Sequence, residues 1–148
     1  MDTKTCAAAA AGGHLNVIIW ARANDFPWDK WSCAGAAKGG HIDTLKWIRR
    51  NGCPWDEWTC IAAARGGHLE CLEWSRNNGC LWNSKTCAGA AWGGHLEVLK
   101  WLREHNCPWA SSTCVGASES GNSAVLRWAV DNGCPFTNDN ASLLLKQK

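Results

Sequence analysis

The chain has 148 residues, a formal net charge of +2, 19% charged residues and 46% hydrophobic residues. The near-neutral balance excludes the broad basic excess of a general polyanion binder, and the apolar content excludes a disordered chain. No apolar run approaches the roughly 20 residues that a membrane helix needs.

Met1 is followed by five units of 27 residues, 2–28, 29–55, 56–82, 83–109 and 110–136, and by a remainder, 137–148. A fixed period between 20 and 50 residues marks a solenoid. The expected architecture is therefore all-α: one elongated domain over 1–148, five stacked helix-turn-helix units and a partial sixth. The alanine-rich stretch from Cys6 to Ala11 has the look of a signal core. The same columns recur as CAGAAK, CIAAAR and CAGAAW inside the chain, so it reads as structure and not as a leader.

Within a unit the elements follow in a fixed order. Asp2, Asp29, Asp56 and Asn83 form a column of helix N-cap residues, continued by Ala110 and Thr137. Three residues later stand Thr5, Ser32, Thr59, Thr86, Thr113 and Asn140. An alanine-rich inner helix of about nine residues comes next and ends at a glycine turn such as Gly66-Gly67. The second helix starts at His14, His41, His68, His95 or Asn122. In the fourth unit it reads HLEVLKWLREHN, with Leu96, Leu99 and Leu102 on one side and Glu97, Lys100 and Glu104 off it, an amphipathic outer helix. Asn51-Gly52, Asn78-Gly79 and Asn132-Gly133 close it in the manner of a left-handed cap. Pro27, Pro54, Pro108 and Pro135 follow, where a helix cannot continue. Nothing alternates with period two, so no strand is expected. A partial eleventh helix is expected from about Asp139.

Tryptophan recurs in two columns: Trp20, Trp47, Trp74, Trp101 and Trp128 in the outer helices, and Trp28, Trp55, Trp82 and Trp109, then Phe136, in the loops. Rings that each bury roughly 150–250 Å² are expected to fill the spaces between units. Cysteine also forms two columns: Cys6, Cys33, Cys60, Cys87 and Cys114, and Cys53, Cys80, Cys107 and Cys134. Cys71 stands where Val17, Val98 and Val125 stand elsewhere, as a small hydrophobe. Helices packed about 8–10 Å apart hold cysteines of one column too far apart for a disulfide. A bridge between columns, such as Cys53 to Cys60, stays open but unsupported. Reduced structural thiols and an intracellular location are expected. No C-x-x-C or H-x₃₋₅-H spacing points to zinc. His105 replaces an asparagine and is expected only to be solvated. No nucleophile triad, P-loop or dinucleotide fingerprint is present, so neither an enzyme nor a cofactor is expected.

The string GGHLEVLKWLREHNCPW, preceded by an alanine pair (Ala36-Ala37, Ala63-Ala64, Ala90-Ala91), resembles the ankyrin repeat. The family's G-H-L element is matched by Gly13-His14-Leu15, Gly40-His41-Ile42, Gly67-His68-Leu69 and Gly94-His95-Leu96. Its T-P-L-H opening is replaced by Thr/Ser-Cys, and the unit is six residues short of the usual 33. The deficit falls where the family carries a projecting hairpin, so the hairpins are expected to be lost. In this the chain looks like the short ankyrin-type variant abundant in large DNA viruses and some protists. The resemblance implies a non-enzymatic scaffold that binds a protein partner on a concave inner-helix face, inside a cell, the host's if the source is viral. The alternative is a nucleic-acid-binding or metal-binding Cys/His-rich repeat.

Helical spacing gives that face four stripes: Trp31-Gly35-Lys38, Trp58-Ala62-Arg65, Lys85-Gly89-Trp92 and Ser112-Gly116-Glu119. The outer members change character from unit to unit, which core positions do not. Trp31, Lys38, Trp58, Arg65, Lys85, Trp92 and Glu119 are therefore the candidate partner-binding residues. The polar drift Ser118-Glu119-Ser120-Gly121-Asn122-Ser123 reads as a capping repeat, with Ser142–Leu145 expected to cover its apolar face. Ile19 stands where Lys46, Glu73, Lys100 and Arg127 stand elsewhere, so the N-terminal end is expected to be adhesive and to self-associate.

Overall fold

The computed structural model describes residues 2–136, which form five consecutive helix pairs. These are α1 (Lys4–Ala11) with α2 (Leu15–Ala23), α3 (Lys30–Gly39) with α4 (Ile42–Arg50), and α5 (Glu57–Gly66) with α6 (Leu69–Asn77). They are followed by α7 (Ser84–Gly93) with α8 (Leu96–Glu104) and α9 (Ser111–Glu119) with α10 (Ser123–Asp131). Among the described residues there is no strand, so no hairpin stands at 53–55 or 107–109. The expected helix after Asp139 and the covering segment Ser142–Leu145 lie outside the described residues.

Local chemistry sets the helix starts. Asp29, Asp56 and Asn83 cap their helices by accepting from the backbone N–H groups of Trp31, Trp58 and Lys85 at 3.0, 3.0 and 2.9 Å. Asp2 makes the same bond to Lys4. Asn83 also donates its backbone N–H to the Thr86 hydroxyl, completing a capping box. The methyl group of Ala110 cannot accept a hydrogen bond, and α9 starts without a cap bond.

The odd-numbered inner helices pack directly on one another, whereas the outer helices are spread apart, so the stack curves with its inner helices on the concave side. Small residues permit the close approach: a Cβ on Gly35 would lie 3.1 Å from the Ala7 carbonyl, and one on Gly89 3.1 Å from that of Ile61. Between the two helix rows run buried Cys33, Ala36, Ala37, Leu45 and Ile48 and their repeats, among them Cys60, Ala63, Ala64, Leu72, Leu99 and Leu102.

Two seams join successive units. At the first, the second glycine of each inner turn is left-handed and the next unit's imidazole lies against it; the His41 ring also donates from Nε2 to the Ala11 carbonyl at 3.0 Å. Asn122 replaces the imidazole in the fifth unit and donates to the Ala91 carbonyl at 3.2 Å. At the second seam each loop tryptophan meets the next outer helix's tryptophan at an angle. Trp28–Trp47, Trp55–Trp74, Trp82–Trp101 and Trp109–Trp128 have centroids 5.8–6.3 Å apart.

Trp20 departs from its expected place between units. It is 56% exposed and leans on Phe26 of its own unit. His105 departs too: its Nδ1 donates to the Trp101 carbonyl at 2.8 Å, the bond that Asn51, Asn78 and Asn132 make at their helix ends, and its ring stacks on Trp101.

All ten cysteines are free and buried. Cys33 meets Cys53 and Cys87 meets Cys107 within one unit, the inner thiol donating to the loop cysteine's carbonyl, so the contacts join the two columns of a unit. The loop thiols of Cys53, Cys80, Cys107 and Cys134 donate to the carbonyls of Asp29, Asp56, Asn83 and Ala110, tying each loop to its own unit's first cap. Hydrogen bonding to these loop thiols, and burial, push Cys33, Cys60 and Cys87 far above the ordinary thiol range.

Candidate functional site

The inner helices present their solvent faces to the concave side. Because 3.6 residues make a turn, the cap bond that fixes Trp31 at the start of α3 also fixes Gly35 and Lys38 below it on one face. Trp58, Ala62 and Arg65 repeat this on α5. The two stripes enclose a cavity of about 370 Å³ with Trp31 and Trp58 at one end and Lys38 and Arg65 at the other, over a floor that includes Gly35, Ala62 and Ile61.

The two indoles touch, with centroids 6.0 Å apart and planes tilted by 46°, yet remain 47% and 36% exposed. Lys30 sits 5.0 Å from the Trp31 centroid and donates to Asp56 at 2.9 Å, which raises its pKa through that bond. Lys85 reaches across from α7 to 5.5 Å from the Trp58 centroid. Trp31, Lys38, Trp58 and Arg65 are thus brought together, with Lys85 at the margin.

Trp92 and Glu119 are not part of this cavity. The Trp92 ring settles on α9, where a Cβ on Gly116 would lie 2.7 Å from its Cδ1, although the side chain stays 40% exposed. Glu119 is exposed at the end of α9. The small middle column therefore has two uses: it lets the inner helices approach, and it gives the groove its low floor.

The arginine column went unread in the sequence. Arg22, Arg49, Arg76 and Arg103 each donate to a loop carbonyl, of Phe26, Cys53, Cys80 and Cys107, and lie 3.9–4.5 Å from the following loop tryptophan's centroid. Their recurrence six residues before each loop tryptophan was the available signal. A second cavity, of about 490 Å³ on the outer side, is lined by members of these assemblies, Arg76, Trp82 and Trp101, with His105. Its groups already hold the loop in place, whereas Trp31 and Trp58 hold none. Among the described residues no three His, Cys, Asp or Glu side chains cluster at metal-binding distance. No described helix is long and apolar enough to cross a membrane.

No protein-family profile matches the chain, and no curated protein matches it. Among solved structures, the crystal structure of the human ASB11 ankyrin repeat domain is similar to it, with a TM-score of 0.66 and 17% sequence identity. The match covers 88% of this chain and 69% of that one. The chain therefore has the fold of an ankyrin-like helical repeat solenoid.

Proposed function

We propose that the protein is a non-enzymatic interaction scaffold that binds a protein partner on its concave inner-helix face, centred on the Trp31–Trp58 cavity. The observation that carries this reading is the exposed indole pair. Its column holds Lys4, Lys85 and Ser112 in the other units, so the repeat stacks without a ring there. An aromatic side chain buries roughly 150–250 Å² in all, and close to half of Trp31 and a third of Trp58 is still open to a partner. Tryptophan and arginine are the residue types that most often dominate binding energy. Trp31, Lys38, Trp58, Arg65 and Lys85 form the centre of the proposed surface, with Trp92 and Glu119 as outlying contacts.

The 27-residue unit without hairpins supports assignment to the short ankyrin-type variant of large DNA viruses and some protists. Ten unpaired thiols support an intracellular site of action. A second contact surface is proposed at the N-terminal end, where Val17, Ile19 and Trp20 are 45%, 42% and 56% exposed and would self-associate.

The test compares affinity-captured partners of the wild-type chain with those of Trp58→Ala, Arg65→Ala and the outer-face control Glu70→Ala. Partners lost with the first two and kept with the third support the concave face. Partners that follow Glu70 instead refute it.

A further inference from the structure

The chemistry around the indole pair goes further than a generic protein surface. The α1, α3, α5 and α7 helices carry five basic side chains, Lys4, Lys30, Lys38, Arg65 and Lys85, against one acid, Glu57. Of the nearby cap carboxylates, Asp29 accepts from its own helix, and Asp56 does so while also taking Lys30. Lys38, Arg65 and Lys85 remain exposed and without an ion pair among the described residues. The positive charge thus stands at both ends of an apolar cavity: Lys38 and Arg65 close one end, and Lys85 flanks the indoles at the other.

On this basis, and resting on the concave-face reading, we infer that the partner presents an acidic segment that inserts one large apolar side chain between the indoles and the Gly35–Ala62 floor. Its carboxylates lie on either side of that anchor. The basic ends are seven helical positions apart and partly on neighbouring helices, roughly 10–15 Å. That is about three to four residues of extended chain. The segment therefore places acids three to four positions apart with an aromatic or branched aliphatic residue between them. An apolar anchor in a pocket, ringed by complementary charge, gives both affinity and steering.

The experiment is selection of a random peptide library on the immobilised full-length chain, with Trp58→Ala as the counter-target. The charge-reversed double variant Lys38→Glu/Arg65→Glu is then used to measure the recovered peptides. The expected result is a set of net-negative peptides with a single apolar anchor, dependent on Trp58 and weakened about tenfold or more by the double variant. Their binding should also weaken as salt is raised. Trp58-dependent peptides that are neutral or basic would overturn the acidic partner and leave the concave-face scaffold standing. An absence of Trp58-dependent peptides would overturn both. Single-stranded oligothymidine bound as tightly as the best peptide, and lost with the same variants, would show a nucleic-acid surface and overturn the choice of a peptide.

Discussion

Gly67 and Gly52 have nearly the same backbone but different surroundings, and replacing each by alanine separates strain from crowding. Gly67 has φ +76° and Gly52 φ +88°, both left-handed, where a Cβ costs about 1–2 kcal/mol. A Cβ on Gly52 meets nothing within 4 Å, so Gly52→Ala should cost about 1 kcal/mol once the stiffer unfolded chain is counted. On Gly67 the same atom would lie 2.5 Å from Nδ1 and 2.6 Å from Cε1 of His95, well inside contact distance. The imidazole must leave its seat between the units, adding about 1–3 kcal/mol of overpacking. Gly67→Ala should therefore cost about 2–4 kcal/mol in urea denaturation followed by circular dichroism. In a His95→Ala background its cost should fall to that of Gly52→Ala. Equal losses for the two single variants would refute the seated imidazole as the joint between units.

Four further outcomes are expected. Arg76→Ala removes both the bond to the Cys80 carbonyl and the cation over Trp82, and should cost about 2–4 kcal/mol in the same assay; Arg76→Lys should recover only part of this. Burial pushes the Cys71 thiol up to about 11 from an ordinary 9.0, so the unfolded chain ionises first and stability falls as pH rises from about 9 to 11. The loss is about 3 kcal/mol for this thiol, and Cys71→Val, the residue of its column in other units, should remove that share, while the raised thiols of Cys33, Cys60 and Cys87 keep the rest of the alkaline fall. Trp58→Ala should weaken partner binding by about 1–4 kcal/mol with little change in Tm, while Trp74→Ala, paired with Trp55, should lower Tm clearly. Ile19→Lys should raise solubility and reduce any concentration-dependent association seen by light scattering; unchanged behaviour together with a monomeric wild type would count against an adhesive N-terminal end.

The fold was legible because its determinants recur every 27 residues. Cap acids, turn glycines and outer-helix leucines each answer a local backbone requirement, so a column of them identifies an element before any packing is known. What escaped were roles that exist only after the chain folds back. Arg49 reads as an ordinary solvated charge until the loop brings the Cys53 carbonyl and Trp55 to it. His105 breaks its asparagine column in type but not in function, because an imidazole N–H reaches the same helix-end carbonyl. Trp20 belongs to a packing column yet leans on Phe26 of its own unit and stays largely exposed. At the groove, periodicity identified the stripes but not their convergence. Trp31 and Trp58 share a column and pair, whereas Trp92 occupies the other column and falls onto Gly116.

The central claim is tested most directly by site-resolved photo-crosslinking. The chain is prepared with a photoreactive benzoylphenylalanine in place of Lys38, on the groove rim, or of Glu70, exposed on the outer helix. The account predicts that partner protein is crosslinked from position 38 and not from position 70, and that Trp58→Ala abolishes the adduct. Crosslinking from position 70 alone, unaffected by Trp58→Ala, would contradict it.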